Sequence, residues 1–311
     1  MEDNASGRER SRAPSISGRR GYLGGVYAII FQNLWEIVML RRDFFKLPLL
    51  FSASLPLLAK DDQPTLRFLH ITDSHMDLSM PQTVEWMEHL KDVVNSKFSH
   101  IDFVLFGGDN FNNTAPGDSD AKKFKEIIDD MKVPAYCVRG NKESTPKPDP
   151  KIGAKEFKEL FFGEDMLVSG GDWMVHKKGY IVLGLDSTIE HSGAGRFKPE
   201  TIAFAKKILD LGKPTIILDH HPYLNYWGGS DPKDIHKYVL QNAQEVIAQL
   251  FTYPNLILTL SGHKHIDNVS KIGHVTAIAT RAFKAAQVHN QNPMRYIEIT
   301  GTQIRHQLIT T

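Results

Sequence analysis

From Thr65 onward the chain alternates short apolar runs with stretches whose apolar residues recur three or four positions apart, a pattern of strands interleaved with helices. Runs at 66–72, 102–107 and 134–139 predict strands. Between them, Val84, Met87, Leu90, Val93 and Val94 lay one apolar stripe along a helix over 82–95. Phe124, Ile127, Ile128 and Met131 lay another over 119–131. Residues 144–164 start with Pro146, Pro148 and Pro150 and read as a loop followed by a short helix. Strands at 172–177 and 179–186 join through Lys177-Lys178-Gly179, and a helix over 198–210 opens on Pro199 and Glu200. A strand at 214–219, a Gly-rich loop at 226–230, a helix over 233–250 and a strand at 255–260 follow. Four antiparallel strands at 267–272, 274–280, 295–300 and 303–309 complete the chain. The alternation predicts an α/β fold, and no repeat or linker interrupts residues 65–311.

Five of these apolar runs stop at residues that carry chemistry. Leu69-His70-Ile71 is followed by Thr72-Asp73-Ser74-His75, and Val104-Leu105-Phe106 by Gly107-Gly108-Asp109-Asn110. Ala135–Val138 leads to Arg139-Gly140-Asn141-Lys142-Glu143, and Ile216-Ile217-Leu218 to Asp219-His220-His221-Pro222. Leu258-Thr259-Leu260 ends in Ser261-Gly262-His263-Lys264-His265. Open α/β sheets gather ligands at the carboxyl ends of their strands, so the five ends are expected to converge. In extended chain, alternate residues face the same way, so both members of Asp73-x-His75 and of His263-x-His265 would face one cavity. Carboxylate, imidazole and amide groups together suit Mn, Fe, Zn or Ni rather than a soft thiolate site. A pair of such ions about 3.5–4 Å apart can grip both the attacking and the leaving oxygen of a phosphoryl displacement.

Composition adds limits. Residues 1–59 hold eight Lys/Arg against five Asp/Glu, whereas the remainder holds 29 against 31. A near-neutral body leaves no electrostatic footprint for nucleic acid. The lone cysteine, Cys137, excludes an intrachain disulfide framework and falls inside a predicted strand. Residues 1–38 are expected to be disordered or an extension ahead of the true start, with a weak membrane-span signal over 21–40. Arg41-Arg42-Asp43-Phe44-Phe45-Lys46 and the apolar run Leu47–Ala59 resemble a twin-arginine export signal over 39–59. That reading predicts a periplasmic or secreted bacterial protein, with no stable membrane anchor once the signal is removed.

The ordered set of strand ends resembles the calcineurin-like metallophosphoesterase superfamily, whose pattern runs D-x-H, G-D, G-N-H-D/E, H and G-H-x-H. The resemblance covers roughly residues 66–265. His220-His221-Pro222 and Gly184-Leu185-Asp186-Ser187 draw it toward the cyclic-nucleotide phosphodiesterase-like branch. It implies a four-layer α-β-β-α sandwich with two mixed sheets, formed by residues 60–311. It also implies two divalent metal ions, the first held by Asp73, His75 and His265 and the second by Asn141, His220 and His263, with Asp109 bridging. His221 and Tyr223 would stand behind the ligands or touch substrate. Loops 144–164, 187–197 and 223–232 would line the substrate side, where Tyr226 and Trp227 could stack on a base or sugar.

One position departs from the pattern, because Lys142 stands where the family has a histidine over the substrate phosphate. Lysine keeps a compact cation there. It is poorly matched to protonating a leaving group, since free lysine titrates near 10.4 against ~6.5 for histidine. Either Lys142 covers the phosphate, or it turns to solvent and His191 or His221 does so. The expected function is therefore an exported phosphoesterase in which a metal-bridging hydroxide attacks a small phosphodiester or monoester in line. Asp109 and Lys142 would be its catalytic side chains. The alternative is a metal-binding interaction protein with little or no turnover. Substrate identity and oligomeric state are not legible.

Overall fold

The computed structural model describes residues 64–114, 117–144, 152–226, 232–285 and 291–311. The readings on residues 1–38 and 39–59, and on Trp227, lie outside these. Among the described residues, twelve strands form two sheets. The first runs in the order β12 (Gln303–Thr310), β11 (Pro293–Thr300), β1 (Leu66–Ile71), β2 (Phe103–Phe106), β3 (Ala135–Cys137). The second runs β4 (Leu167–Ser169), β5 (Asp172–Lys177), β6 (Tyr180–Gly184), β7 (Thr215–Leu218), β8 (Leu256–Ser261), β10 (Val275–Ala279), β9 (Asn268–Ile272). Strands β1, β2 and β3 are parallel, as are β6, β7, β8 and β10; the flanking strands pair antiparallel. Both sheets are therefore mixed.

The alternation of side chains along each strand sorts the core into layers. Leu66 and Phe68 of β1 and Phe103 and Leu105 of β2 meet Val182, Ile216, Leu218 and Leu258 of the second sheet in one buried cluster. The opposite face of the first sheet, with Leu69, Ile71, Val104 and Phe106, packs on helices α1 (Pro81–Lys97), α2 (Ser119–Asp129) and α3 (Ala154–Phe161). Ile181, Leu183 and Ile217 of the second sheet pack on α4 (Pro199–Leu209) and α5 (Ala243–Leu250). The result is helices, sheet, sheet, helices, the expected four-layer sandwich. Strands buried on both faces read as unbroken apolar runs, which is why they were legible.

Three expectations change. The helix over 233–250 is a 3-10 helix at Pro232–Lys237 followed, after a break, by α5. At the break the backbone bonds to other segments instead of continuing the helix, with Leu240 N donating to Pro222 O (2.9 Å) and Gln241 N to Gly195 O (2.8 Å). Ile235, Val239, Leu240, Ala243 and Val246 still face one core, so the apolar spacing survives the interruption. Strand β4 was not anticipated, because its Leu167 is half exposed on a sheet edge. The last four strands divide between the sheets. β9 and β10 extend the second, where β10 also lies parallel to β8, while β11 returns beside β1.

Phe68 is fully buried between the sheets and stacks on Phe103 with ring centroids 5.0 Å apart. Phe68→Ala should lower stability by about 3–5 kcal/mol, read from urea unfolding at constant slope.

Candidate metal centre

The carboxyl ends of β1, β2, β3, β7 and β8 deliver seven side chains to one place, and each sits just past the last residue of its strand. Asp73 and His75 follow β1, Asp109 follows β2, Asn141 follows β3, His220 follows β7, and His263 and His265 follow β8. His265 Nε2 lies 3.1 Å from Asp73 Oδ1, and His75 Nε2 lies 3.3 Å from His265 Nε2. Asp109 stands between the two halves, Oδ2 3.5 Å from His75 Nε2 and Oδ1 3.5 Å from His220 Nε2. His220 Nε2 is in turn 3.2 Å from Asn141 Oδ1 and 3.2 Å from His263 Nδ1. All seven predicted ligands thus come together.

They do not converge in the anticipated way. Asp73, His75, Asp109, His263 and His265 all have left-handed backbone, with φ of 55°, 48°, 50°, 68° and 62°. The pairs Asp73-x-His75 and His263-x-His265 lie in tight turns rather than in extended chain, and the turns aim their side chains inward. Such conformations cost of order 1–3 kcal/mol each and persist only where the surroundings enforce them. Here Asp73 N donates to Gly108 O (3.0 Å) and His75 N to Asp109 O (2.9 Å), lacing two turns together. Gly262 is required because a Cβ there would fall 2.3 Å from Asp73 Oδ2.

The second nitrogen of three imidazoles is fixed by an acceptor outside the cluster. His220 Nδ1 donates to Gly107 O (2.8 Å) and His263 Nε2 to Lys237 O (2.7 Å). His75 Nδ1 donates to Asn112 Oδ1 (2.8 Å), whose amide nitrogen is engaged by Asp77. A neutral histidine that donates outward presents a lone pair inward. The cluster therefore turns imidazole lone pairs, two carboxylates and an amide oxygen toward one space, the arrangement of ligating histidines held by outer partners. Two sets of three, Asp73/His75/His265 and Asp73/Asp109/His220, bring their ligand atoms within 4.8 Å of one another. The residues fit divalent metal.

Electrostatics agree. Burial disfavours the Asp73 carboxylate, but the imidazoles of His265, His220 and His75 outweigh it and hold the carboxyl well below the usual range. Burial pulls His220 down, yet Asp109 and Asp73 prevail and raise it, so the same field that draws a proton there favours a cation. Burial and the neighbouring His220 lower His263 to about 4.

Glu143, the last residue of the Gly-Asn-Lys-Glu segment, is fully buried. Its carboxylate accepts the backbone N–H groups of Asp109 (3.0 Å), Asn110 (2.6 Å), Phe111 (3.2 Å) and Gly140 (2.7 Å). Lys142 contributes its own backbone N–H to Asp109 Oδ1 (2.7 Å), while its side chain is half-buried. Behind Asn141, the buried Arg139 pairs with Asp186 (3.1 Å) and Glu190 (2.7 Å). His221 is fully buried, its Nδ1 2.8 Å from Ser187 Oγ, and its ring 4.3 Å from that of His263. Its ligand nitrogen falls within 4.8 Å of those of His220 and His263. Exposed His191 belongs to none of these groups among the described residues. Tyr223, expected to stand behind the ligands or touch substrate, is buried in the helix-side core against Phe197 and Phe251, facing Asp219.

One residue was missed. Lys284 follows β10, and its N–H donates to Asp73 O (3.2 Å) while Phe283 N donates to Thr72 O (2.8 Å). Its half-buried ammonium lies within electrostatic reach of Asp73, Asp109, His75 and Lys142. Nothing in Ala282-Phe283-Lys284 signals this; only its place after another parallel strand of the second sheet could have.

A family model described as calcineurin-like phosphoesterase matches residues 66–267. A Psychrobacter arcticus protein named "Probable cyclic nucleotide phosphodiesterase" is 22% identical over 230 residues, 68% of this chain and 78% of its own. A "Probable glycerophosphodiester phosphodiesterase" of Arcobacter nitrofigilis is 26% identical over 176 residues, 55% of this chain and 59% of its own. Among solved structures, a dimetal phosphatase from Danio rerio superposes with TM-score 0.60 at 12% identity, covering 79% of this chain and 98% of that one. A purple acid phosphatase from yellow lupin superposes with TM-score 0.55 at 11% identity, covering 79% and 52%. At those identities the structural likeness bears on fold alone.

Glu143→Ala orphans four buried N–H groups and should cost about 3 kcal/mol or more in urea unfolding with chelator present. Asp172, which accepts the N–H of Asp186 (2.8 Å), is raised by burial to about 7 from an ordinary 3.8. A raised carboxyl stabilises the fold below the lower value and loses that contribution as pH rises through the upper one. Asp172→Asn, which does not titrate, should therefore gain stability relative to the parent between pH 5 and pH 8, read as the difference in Tm at the two pH values.

Proposed function

The chain belongs to the calcineurin-like phosphoesterase family, a metal-dependent family of hydrolases, and we propose that it hydrolyses a small phosphodiester at a two-metal centre. The observation that carries this reading is the pair of ligand groups joined through Asp109, one formed with His75 and His265, the other with His220, Asn141 and His263. Divalent ions bound there supply Lewis-acid charge and an activated water. The remaining work falls to the chain. Asp109 is held by the N–H of Lys142, and its own N–H by Glu143, so its two oxygens stay divided between the two groups.

Charge supports an anionic substrate. Two carboxylates leave two divalent ions with an excess of about two positive charges, and Lys142 and Lys284 add to it. We assign both ammonium groups to the non-bridging oxygens of the phosphate, where they stabilise charge that grows in the transition state. Neither is suited to protonating a leaving group, so esters with good leaving groups should turn over best. A cavity of about 490 Å³ opens on Asn141 and His263 and is further lined by Ser192, His236, Tyr238 and Gln241. Among the described residues no carboxylate lines it, which suits the organic part of a polar, anionic ester. The names of both relatives support a diester. The Arg41-Arg42 segment supports export to a periplasmic or secreted location. Lys142 also favours a second reading, a metal-binding protein that has lost turnover.

With Mn²⁺, the parent should hydrolyse bis-p-nitrophenyl phosphate, whose leaving group needs little protonation. Asp109→Ala should fall to background, and Lys284→Gln should raise KM about tenfold, the equivalent of about 1.4 kcal/mol. Lys142→His should accelerate esters with alkoxide leaving groups more than nitrophenyl esters. A parent that retains metal but turns over neither class, with activity appearing in Lys142→His, would establish the second reading.

A further inference from the structure

The hydrolytic reading leaves a buried cation unused. Arg295 is 2% exposed, on β11 of the first sheet, directly opposite His70 of β1 in the antiparallel register. Its guanidinium reaches out of that sheet. One amino group pairs with Asp267 Oδ1, Nε donates to Thr280 Oγ1 (3.3 Å), and Nη1 lies 3.0 Å from His306 Nδ1. Thr280 stands at the end of β10 in the second sheet, its N–H donating to Ser261 O (3.0 Å), and its hydroxyl also meets His70 Nδ1 (2.8 Å). Asp267 sits two residues past His265, in the turn between β8 and β9. Burial and the neighbouring Arg295 lower His70 to about 3, so it stays neutral beside the guanidinium.

His265 is the ligand that most needs such support. Its side chain is 34% exposed, against 5% for His75, 0% for Asp73 and 0% for His220. His75, His220 and His263 are each oriented by an acceptor on their outer nitrogen. Among the described residues, the only polar partners of the His265 ring lie inside the cluster. The backbone carrying it is left-handed, and its neighbours Ile266 and Asp267 are exposed. Some other contact must hold this turn.

We infer that Arg295 is a positioning residue that fixes the His265 turn across the two sheets through Asp267 and thereby sets the affinity of the Asp73/His75/His265 metal position. An ion pair with one partner fully buried is suited to this, because breaking it strands a charge with no solvent to receive it. The inference rests on the two-metal reading. It predicts an asymmetric defect: of the Asn141/His220/His263 ligands only His263 shares that turn, and its outer nitrogen is separately anchored on Lys237 O (2.7 Å), an anchor of the kind His265 lacks among the described residues.

The test is Mn²⁺ binding by calorimetry and electron paramagnetic resonance on the parent and on Asp267→Asn, with Arg295→Lys as the conservative companion. The parent should take up two ions and show an exchange-coupled signal. Asp267→Asn should weaken one equivalent about 10–100-fold, the usual cost of losing an outer-sphere partner. The second equivalent should keep its affinity, so the spectrum becomes that of an isolated ion. Arg295→Lys, which keeps a cation for Asp267, should weaken the same equivalent less than Asp267→Asn does. Two equivalents at parental affinity in Asp267→Asn would overturn the inference alone. Equal weakening of both would also overturn it, as a general loss of structure. A parent that binds no metal would overturn the two-metal reading and the inference with it.

Discussion

The carboxylate of Glu143 is the constraint on which the site depends. It accepts four backbone N–H groups, three from the turn after β2 and one from the turn after β3. Two ligand-bearing turns are thereby locked to each other before any side chain meets a metal. A carboxylate that accepts several N–H groups is among the stronger hydrogen-bonding arrangements available. Burial and the nearby Asp109 nevertheless raise Glu143 to about 7, so the fold spends stability to keep it there. That expense is explicable only if the placement of Asp109 matters more than the burial of a charge.

The same logic extends outward from Asp109. Five of the candidate ligand residues occupy left-handed backbone, where non-glycine residues are uncommon and Asn, Asp and His are the least penalised. The chemistry and the conformation thus select the same residue types. Parallel strands end abruptly, their carbonyls and N–H groups knit neighbouring turns together, and the strain is repaid by hydrogen bonds between turns rather than by packing. The inter-sheet core makes this possible. Phe68, Phe103, Ile216, Leu218 and Leu258 fix the distance between the sheets, and that distance decides whether His263 and His220 can face Asp109.

Much of this was legible in the sequence because it is local. Asp73-x-His75 and His263-x-His265 announce themselves as chemistry at the end of apolar runs, and the four-layer fold follows from the family those runs resemble. The route is not local in the same sense: extended chain would also bring each pair to one face, but the pairs converge through left-handed turns that spacing does not distinguish from a strand. The helix over 233–250 was misjudged for a related reason. Apolar periodicity records which face is buried, and two short elements on one core preserve it across a break. Lys284 and the Arg295–Asp267 pair were invisible for a different reason. They act between segments joined only by the crossing of the chain from one sheet to the other, and no spacing rule reaches across that crossing.

Lys142 gains meaning from its surroundings rather than from its motif. Alone, it marks a missing histidine. Beside Lys284 it belongs to a pair of cations near a cluster that is itself set to bind positive charge. Like charges gathered around dications are unstable unless an anion completes the set. On the proposed reading the balance differs from that of a site with one neutral imidazole, because fixed positive charge rather than a histidine would meet the phosphate. Such a site favours substrates whose leaving group departs as a stable anion, and it binds the phosphate product by the same lysines that bind the ester. Retention of product then competes with turnover.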